Sequence, residues 1–181
     1  MNCVDWLPRV QKPVQYVGGE VNSRLGDWDG SDVRWALMYP DAYEVGIPNQ
    51  GVQILYEVLN ERDWIVAERT YAVWPDMEKV LRENGIPQFT VDAHRSVRDF
   101  DLFGLSFSTE LGYTNMLNAL DLAGIPLHAV DRGQARLDDA DQVVRDLVLL
   151  ENVRAEADVG RGELRVGRLE VDDGDLGGGR Q

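Results

Sequence analysis

Two polar stretches of the chain carry residues that could bind a ligand, and each directly follows an apolar run. The first stretch, from Tyr39 to Gly46, holds acidic and phenolic side chains beside a glycine. The second begins at Ser106 and combines hydroxyl groups with an acid and an amide. Chosen by position, the candidate binding residues are Tyr39, Asp41, Tyr43, Glu44, Gly46, Ser106, Ser108, Thr109, Glu110 and Asn115.

Each stretch allows two interpretations. Asp41 and Glu44 have the chemistry to coordinate a cation or to act as acid and base, but both also suit an ordinary solvated loop. Gly46 either lets the backbone approach a ligand or simply allows the turn. Ser108 and Thr109 precede a predicted helix, so they either offer hydroxyls and free backbone N–H groups to a polar ligand or only cap that helix.

The composition excludes several function classes. The 181 residues carry a formal net charge of −14, which repels phosphate backbones and argues against nucleic acid as a partner. The one cysteine, Cys3, can form neither an internal disulfide nor an iron–sulfur cluster, which takes about three or four thiolates. No apolar run reaches the ~20 residues that span a bilayer, and the first residues lack a signal-peptide pattern. We expect a cytoplasmic protein without a membrane partner.

The spacing of apolar residues alternates between strand and helix patterns. Strands are predicted over 33–39, 65–73, 88–91, 100–107 and 127–130, and the first of them should end at Pro40. Helices are predicted over 50–62, over 75–84 and from Glu110 to Leu122, the last two closed by Gly85 and Gly124. This alternation predicts an α/β domain with a parallel sheet and helices on both faces. Ligands bind such sheets outside the carboxyl ends of the strands, where both polar stretches lie.

The composition changes near residue 132 and divides the chain into three parts. We predict an N-terminal extension over 1–32, an α/β domain over 33–132 and a divergent acidic tail over 133–181. The tail contains no aromatic residue, Pro, Ser or Thr, and we expect it to be largely irregular and partly disordered. It is either a natural acidic extension with a helix over 138–153 or the product of a shifted reading frame.

Five longer strings of sequence indicate a family. They cover residues 13–23, 38–46 running into 51–56, 67–69 with 74–78, 104–106 followed by 110–117, and 120–127. The second begins Met38-Tyr39-Pro40-Asp41-Ala42-Tyr43-Glu44-Val45-Gly46. In this order and spacing, residues 8–132 resemble the start of a bacterial family of large radical S-adenosylmethionine (radical SAM) proteins that carry an N-terminal cobalamin-binding-like domain.

The resemblance implies a Rossmann-like, cobalamin-binding-like fold whose partly parallel sheet is flanked by helices and is incomplete here. In the family, a following barrel holds a [4Fe–4S] cluster on a Cys-x-x-x-Cys-x-x-Cys motif and reduces S-adenosylmethionine to a radical. This chain departs from the family after Arg132 and lacks that motif.

One short motif bears on how cobalamin would be held. Asp92-Ala93-His94 resembles the start of the cobalamin motif D-x-H-x-x-G, in which the histidine coordinates cobalt. Val97 stands where the glycine should be, and the motif follows the wrong strand. We therefore interpret His94 as a surface residue and His128 as a structural one.

The resemblance and the residues together predict a cobalamin-binding-like domain that is not catalytic alone, with the ten candidate residues hydrogen-bonding a corrinoid. The alternative is a protein–protein interaction module, since an unfinished sheet exposes an edge that recruits strands. The expected partner is a radical SAM catalytic domain, either the chain's own missing C-terminal part or a separately encoded protein. A third hypothesis is an independent enzyme that uses Asp41 and Glu44.

Overall fold

A computed structural model describes residues 6–107, 109–128, 131 and 146–149 of the chain. Within these residues, four parallel strands form one sheet in the order β2-β1-β3-β4. The strands are β1 (Val33–Ala42), β2 (Ile65–Ala72), β3 (Leu102–Leu105) and β4 (Asp146–Leu149). The helices are α1 (Tyr43–Gly46), α2 (Gln50–Asn60), α3 (Pro75–Asn84) and α4 (Gly112–Ala123). The predicted α/β class with a parallel sheet and flanking helices is confirmed.

The helix ends follow the local sequence signals. The side chain of Asn49 accepts a hydrogen bond from the Val52 N–H at 3.0 Å and caps the start of α2. Gly85 and Gly124 close α3 and α4 with φ angles of +62° and +68°, the left-handed conformation that glycine adopts without strain. None of the helices in the described part has the length and apolar character that a membrane crossing needs.

The first strand does not end at Pro40 as predicted, because it continues to Ala42. Its pairing with β2 is regular up to Tyr39 and then shifts between Tyr39 and Ala42. Its pairing with β3 ends at Met38. Pro40 therefore sits at an irregular position where no ladder hydrogen bond needs its missing N–H, which is where strands tolerate proline.

Three other predicted elements are corrected. Residues 88–91 form no extended strand, and only an isolated antiparallel bridge joins Phe89 to Ser96. Leu127 and His128 form a bend, while residues 129–130 lie outside the described part. Residues 146–149 of the tail form a strand beside β3 rather than part of a helix over 138–153. The rest of the tail prediction falls outside the described residues.

Alternate residues of β1 bury their side chains on opposite faces of the sheet. Trp35 and Leu37 pack in one cluster with Tyr56 of α2. Met38 packs in a second cluster with Leu120 of α4. The sheet is thus covered by helices on both sides, which leaves its strand ends as the places where a ligand can reach the backbone.

A buried ion pair joins the N-terminal segment to the edge of the sheet. The side chains of Arg69, in β2, and Asp92 are both fully buried, and their charged groups lie 2.7 Å apart. Asp92 also accepts hydrogen bonds from the Arg69 backbone N–H at 2.7 Å and from the Ser23 hydroxyl at 2.5 Å. Arg69 in turn donates to the Asn22 side chain at 3.1 Å. The segment around residues 22–23 is therefore tied to a charge pair that water does not reach.

The outer edge of β2 is closed by hydrogen bonds from outside the sheet. Both the N–H and the carbonyl of Ala67 pair with the Asn60 side chain, at 3.1 and 3.0 Å. The Arg69 carbonyl accepts from the Val91 N–H at 2.8 Å. An edge whose backbone groups are already paired cannot template another strand. The β2 edge is thus not the exposed edge that the interaction-module hypothesis requires.

The buried ion pair generates a stability prediction. Asp92→Ala leaves the Arg69 guanidinium buried without its carboxylate, so we expect the free energy of unfolding to fall by about 3–5 kcal/mol. The matched control, Asp121→Ala, breaks an ion pair with Arg82 whose side chains are 55% and 47% exposed, and it should cost at most about 1 kcal/mol. Urea denaturation measures both variants. Similar losses would contradict the anchoring role of Asp92.

Candidate functional site

The strand order places a topological switch point at the carboxyl end of β1. β2 lies on one side of the β1–β3 pair and β4 on the other, so the connection from β1 to β2 and the connection from β3 to β4 diverge at this point. In open parallel sheets such a divergence opens a crevice that binds ligands. Both predicted polar stretches begin here, and the Ser106 N–H donates to the Met38 carbonyl at 2.9 Å. The sheet thus brings together two stretches that are far apart in the sequence.

The start of α4 packs directly onto the end of β1. The Asn115 side chain donates to the Pro40 carbonyl at 3.0 Å and bridges the two stretches. A Cβ at Gly112 would lie 2.9 Å from Pro40 and 3.0 Å from the Phe107 ring, so only glycine permits this approach. Asn115 therefore joins the walls of the site rather than standing free within it.

Four of the predicted site residues keep their side chains available. Tyr39 and Ser106 are half-buried at the strand ends, and Thr109 and Glu110 are exposed before α4. None of these side chains hydrogen-bonds to another residue in the described part of the chain. Ser108 lies outside the described residues. The available groups at this end of the sheet are therefore hydroxyls and one carboxylate.

Two other predicted residues are already engaged by the N-terminal segment. The Tyr43 hydroxyl donates to the Glu20 carboxylate, and burial together with this hydrogen bond raises the pKa of Tyr43 to about 12. Glu44 is exposed and pairs with Lys12 at 2.6 Å, and that hydrogen bond lowers the pKa of the carboxyl. A carboxylate with a lowered pKa is poorly suited to donate a proton, which weakens the case for Glu44 as a catalytic acid.

The remaining two candidates have local structural roles. Asp41 accepts a hydrogen bond from the N–H of Ala42 at 2.7 Å. Gly46 is buried against Tyr71, where a Cβ would lie 2.6 Å from the ring carbon Cε1. The packing of this loop against Tyr71 therefore explains why position 46 requires a residue without a side chain. In the described residues, no group of three or more His, Cys, Asp or Glu side chains could hold a metal ion.

An apolar surface beside the strand ends was missed by the sequence analysis. The Phe107 and Tyr113 rings stack with their centroids 4.9 Å apart. Leu111 is 81% exposed, and Leu117 one helical turn beyond Tyr113 is also exposed. Four apolar side chains near one polar opening suit a ligand with a flat apolar face. The signal that the sequence offered was the series of large apolar residues at positions 107, 111, 113 and 117, before and within the first two turns of α4.

The helix start offers no side-chain cap. The N-cap of α4 is Leu111, and no side chain accepts a hydrogen bond there. The Thr109 carbonyl accepts from the Gly112 N–H at 3.2 Å, so Thr109 contributes its backbone rather than its hydroxyl. The capping role considered for Thr109 is therefore wrong, and its hydroxyl remains available at the site.

His94 contacts the N-terminal segment and the Phe89 ring. It is half-buried rather than on the surface, and its ring nitrogen Nε2 lies 2.8 Å from the Tyr16 carbonyl. Its φ angle is +56°. Asp92, the acid that begins the motif, forms the buried ion pair with Arg69. The motif fragment thus serves the packing at the β2 edge.

One comparison with known proteins identifies the family of this chain. A family model described as "Radical SAM proteins, N-terminal" matches residues 51–143, just over half of the chain. The chain therefore belongs to the family of radical SAM protein N-terminal domains. Searches of curated proteins and of solved structures found no match. The matched range includes β2, β3, α4 and the second polar stretch, whereas β1 and the first polar stretch precede it.

The packing of Gly46 generates a prediction for the site loop. Gly46→Ala drives a methyl group into the Tyr71 ring, so we expect the free energy of unfolding to fall by about 1–3 kcal/mol. The control is the same substitution at Gly51, an exposed position in α2, where the nearest atom to a new Cβ is the Asn49 side chain at 3.3 Å. Gly51→Ala should be neutral or stabilising by up to about 1 kcal/mol. Thermal unfolding compares them, and equal losses would contradict the packing argument.

Proposed function

We propose that this radical SAM N-terminal domain holds a corrinoid against the carboxyl ends of β1 and β3. The observation that carries the proposal is the switch point at β1, where two polar stretches and an exposed apolar surface meet. The strand order 2-1-3 is the arrangement in which doubly wound proteins bind a flat cofactor between the first and third strands. A corrinoid is a flat ring whose rim carries amide groups, so it needs both apolar and hydrogen-bonding contacts.

The described residues fit such a ring in two ways. The hydroxyls of Tyr39, Ser106 and Thr109 are available to bond the amides at its rim, and Glu110 can accept from an amide N–H. The stacked pair of Phe107 and Tyr113 offers an aromatic surface next to them. Asp41, Tyr43, Glu44, Gly46 and Asn115 would shape the opening rather than touch the ring.

The fit does not extend to the cobalt ion. His94 is held by the Tyr16 carbonyl and lies at the β2 edge, so it is not placed to coordinate a metal at the β1 end. When bound, a corrinoid supplies alkyl or methyl transfer chemistry through its cobalt. The residues of this chain would contribute binding and orientation only.

We also propose that radical generation belongs to another domain. A [4Fe–4S] cluster takes about three or four cysteine thiolates, and the chain contains one cysteine. The cluster and S-adenosylmethionine would therefore be held by a radical SAM catalytic domain that works with this one. Such a partner would have to face the carboxyl ends of the strands for its radical to reach a group held there.

A second candidate function is docking of that catalytic domain without any cofactor. The observation that favours it is the exposure of Leu111, because large exposed apolar residues that cluster mark interaction sites. This docking function differs from the interaction module that the sequence suggested. The docking function uses side chains at the start of α4, whereas that module uses an exposed sheet edge. The two candidates predict different responses to cobalamin.

Cobalamin titration of the full chain tests the leading proposal. We expect equilibrium dialysis, with cobalamin followed by its own visible absorbance, to show binding that saturates near one equivalent. Leu111→Glu should weaken binding about tenfold or more, because it replaces an exposed apolar side chain that a bound corrinoid would cover with a charged one. Leu25→Glu is the control, since Leu25 is 68% exposed and adjoins Gly26, which packs on Val66 near the opposite end of the sheet.

The outcomes separate the two candidates. Binding that Leu111→Glu weakens and Leu25→Glu leaves unchanged supports the corrinoid site. No retention of cobalamin by the protein at millimolar concentration would refute it. If Leu111→Glu then abolished association with a purified radical SAM domain of the same family, the docking function would replace it.

A further inference from the structure

A small cavity lies beneath the site loop, between the N-terminal segment, the end of β2 and the residues that follow α3. Its volume is about 10 Å³, which matches the space that a single water molecule needs. The residues that line it carry no charged side chain, and they include Gln15, Tyr16, Tyr43, Tyr71, Gln88 and Phe89. An ion would find no opposite charge there, so the lining favours a neutral occupant.

Three of the lining residues carry buried polar atoms that have no hydrogen-bond partner among the described residues. They are the Tyr71 hydroxyl, the Gln88 oxygen Oε1 and the Gln15 nitrogen Nε2. The three residues are only 4%, 1% and 2% exposed. Buried polar atoms are almost always paired, because an unpaired one loses its bond to water without replacement. Three such atoms around one cavity indicate a shared partner.

The orientation of the Gln88 amide is set by its other bonds. Its Nε2 donates to the Tyr71 carbonyl at 2.8 Å and to the Thr70 hydroxyl oxygen at 2.9 Å. The Thr70 hydroxyl uses its own proton on the Phe89 carbonyl at 2.7 Å, so it can only accept from Gln88. A flipped amide would place two acceptors against each other. Oε1 is therefore the atom left without a partner, and it requires a donor.

The other two atoms complement this acceptor. Burial raises the pKa of the Tyr71 hydroxyl, so it stays protonated and can both donate and accept. Nε2 of Gln15 carries two N–H donors, so its proximity to Glu44, whose carboxyl pKa it helps to lower, still leaves one donor for the cavity. An occupant must thus donate to Gln88, accept from Gln15, and do either with Tyr71.

We infer that the cavity binds one water molecule that bridges Gln15, Tyr71 and Gln88. Water is the smallest neutral molecule that donates and accepts at once, and it fits the volume. It joins three segments that meet below the site loop, where Tyr71 contacts Gly46 and Tyr43. The water would therefore fix the floor on which the proposed binding loop rests, whether or not that loop binds a corrinoid.

Tyr71→Phe tests the inference by the sign of its effect. If the Tyr71 hydroxyl bonds a water, removing that hydroxyl costs the water one hydrogen bond and weakens its hold on Gln88. The melting temperature should then fall by about 2–8 °C. If the cavity is dry, the substitution removes an unpaired buried hydroxyl, and the melting temperature should rise or stay the same. Tyr113→Phe is the control, because Tyr113 is 44% exposed. The melting temperature of this variant should differ little from that of the wild type.

A crystal structure of the full chain gives the second readout. We expect a well-ordered density peak within about 2.7–3.2 Å of the Tyr71 hydroxyl and of Gln88 Oε1 in the wild type. A dry cavity at a resolution that shows other buried waters would overturn the inference, as would a melting temperature that Tyr71→Phe does not lower.

Discussion

The structure depends most on the buried ion pair between Arg69 and Asp92. Two charges without contact to water are tolerated only when they are paired and their remaining donors and acceptors are satisfied. Here the Ser23 hydroxyl and the Asn22 side chain supply those further bonds. Four chain segments, namely the N-terminal one, α2 through Gln53, β2 and the residues after α3, must therefore assemble together around this pair.

The same network decides which side of the sheet is closed. Asn60 and Asp92 pair with the N–H groups of Ala67 and Arg69 in the middle of β2, so this part of the edge is closed to a further strand. In the described part of the chain the sheet instead continues beyond β3, which pairs with Asp146–Leu149. With β2 and β4 on opposite sides of the β1–β3 pair, the divergence falls between the ends of β1 and β3. The placement of the candidate site is thus a consequence of how the β2 edge is sealed.

The sequence predicted where the site lies better than which side chains serve it. Polar residues directly after apolar strands identified both stretches, and parallel pairing brings their ends together. Whether each of these side chains is engaged or available depends on partners that are far away along the chain. Glu20 engages Tyr43 and Lys12 engages Glu44, while Leu111 is left exposed by the packing of α4. No local pattern contains that information.

The sequence by itself determined the alternation of strands and helices, the helix ends at Gly85 and Gly124, and the family. These features rest on preferences that neighbouring residues set, such as apolar spacing and the conformational freedom of glycine. Only the tertiary structure decided that Arg69 is buried and that β1 continues through Pro40. The free energy of a buried charge depends on a partner 23 residues away, and that of a strand proline depends on whether a neighbouring strand needs its N–H.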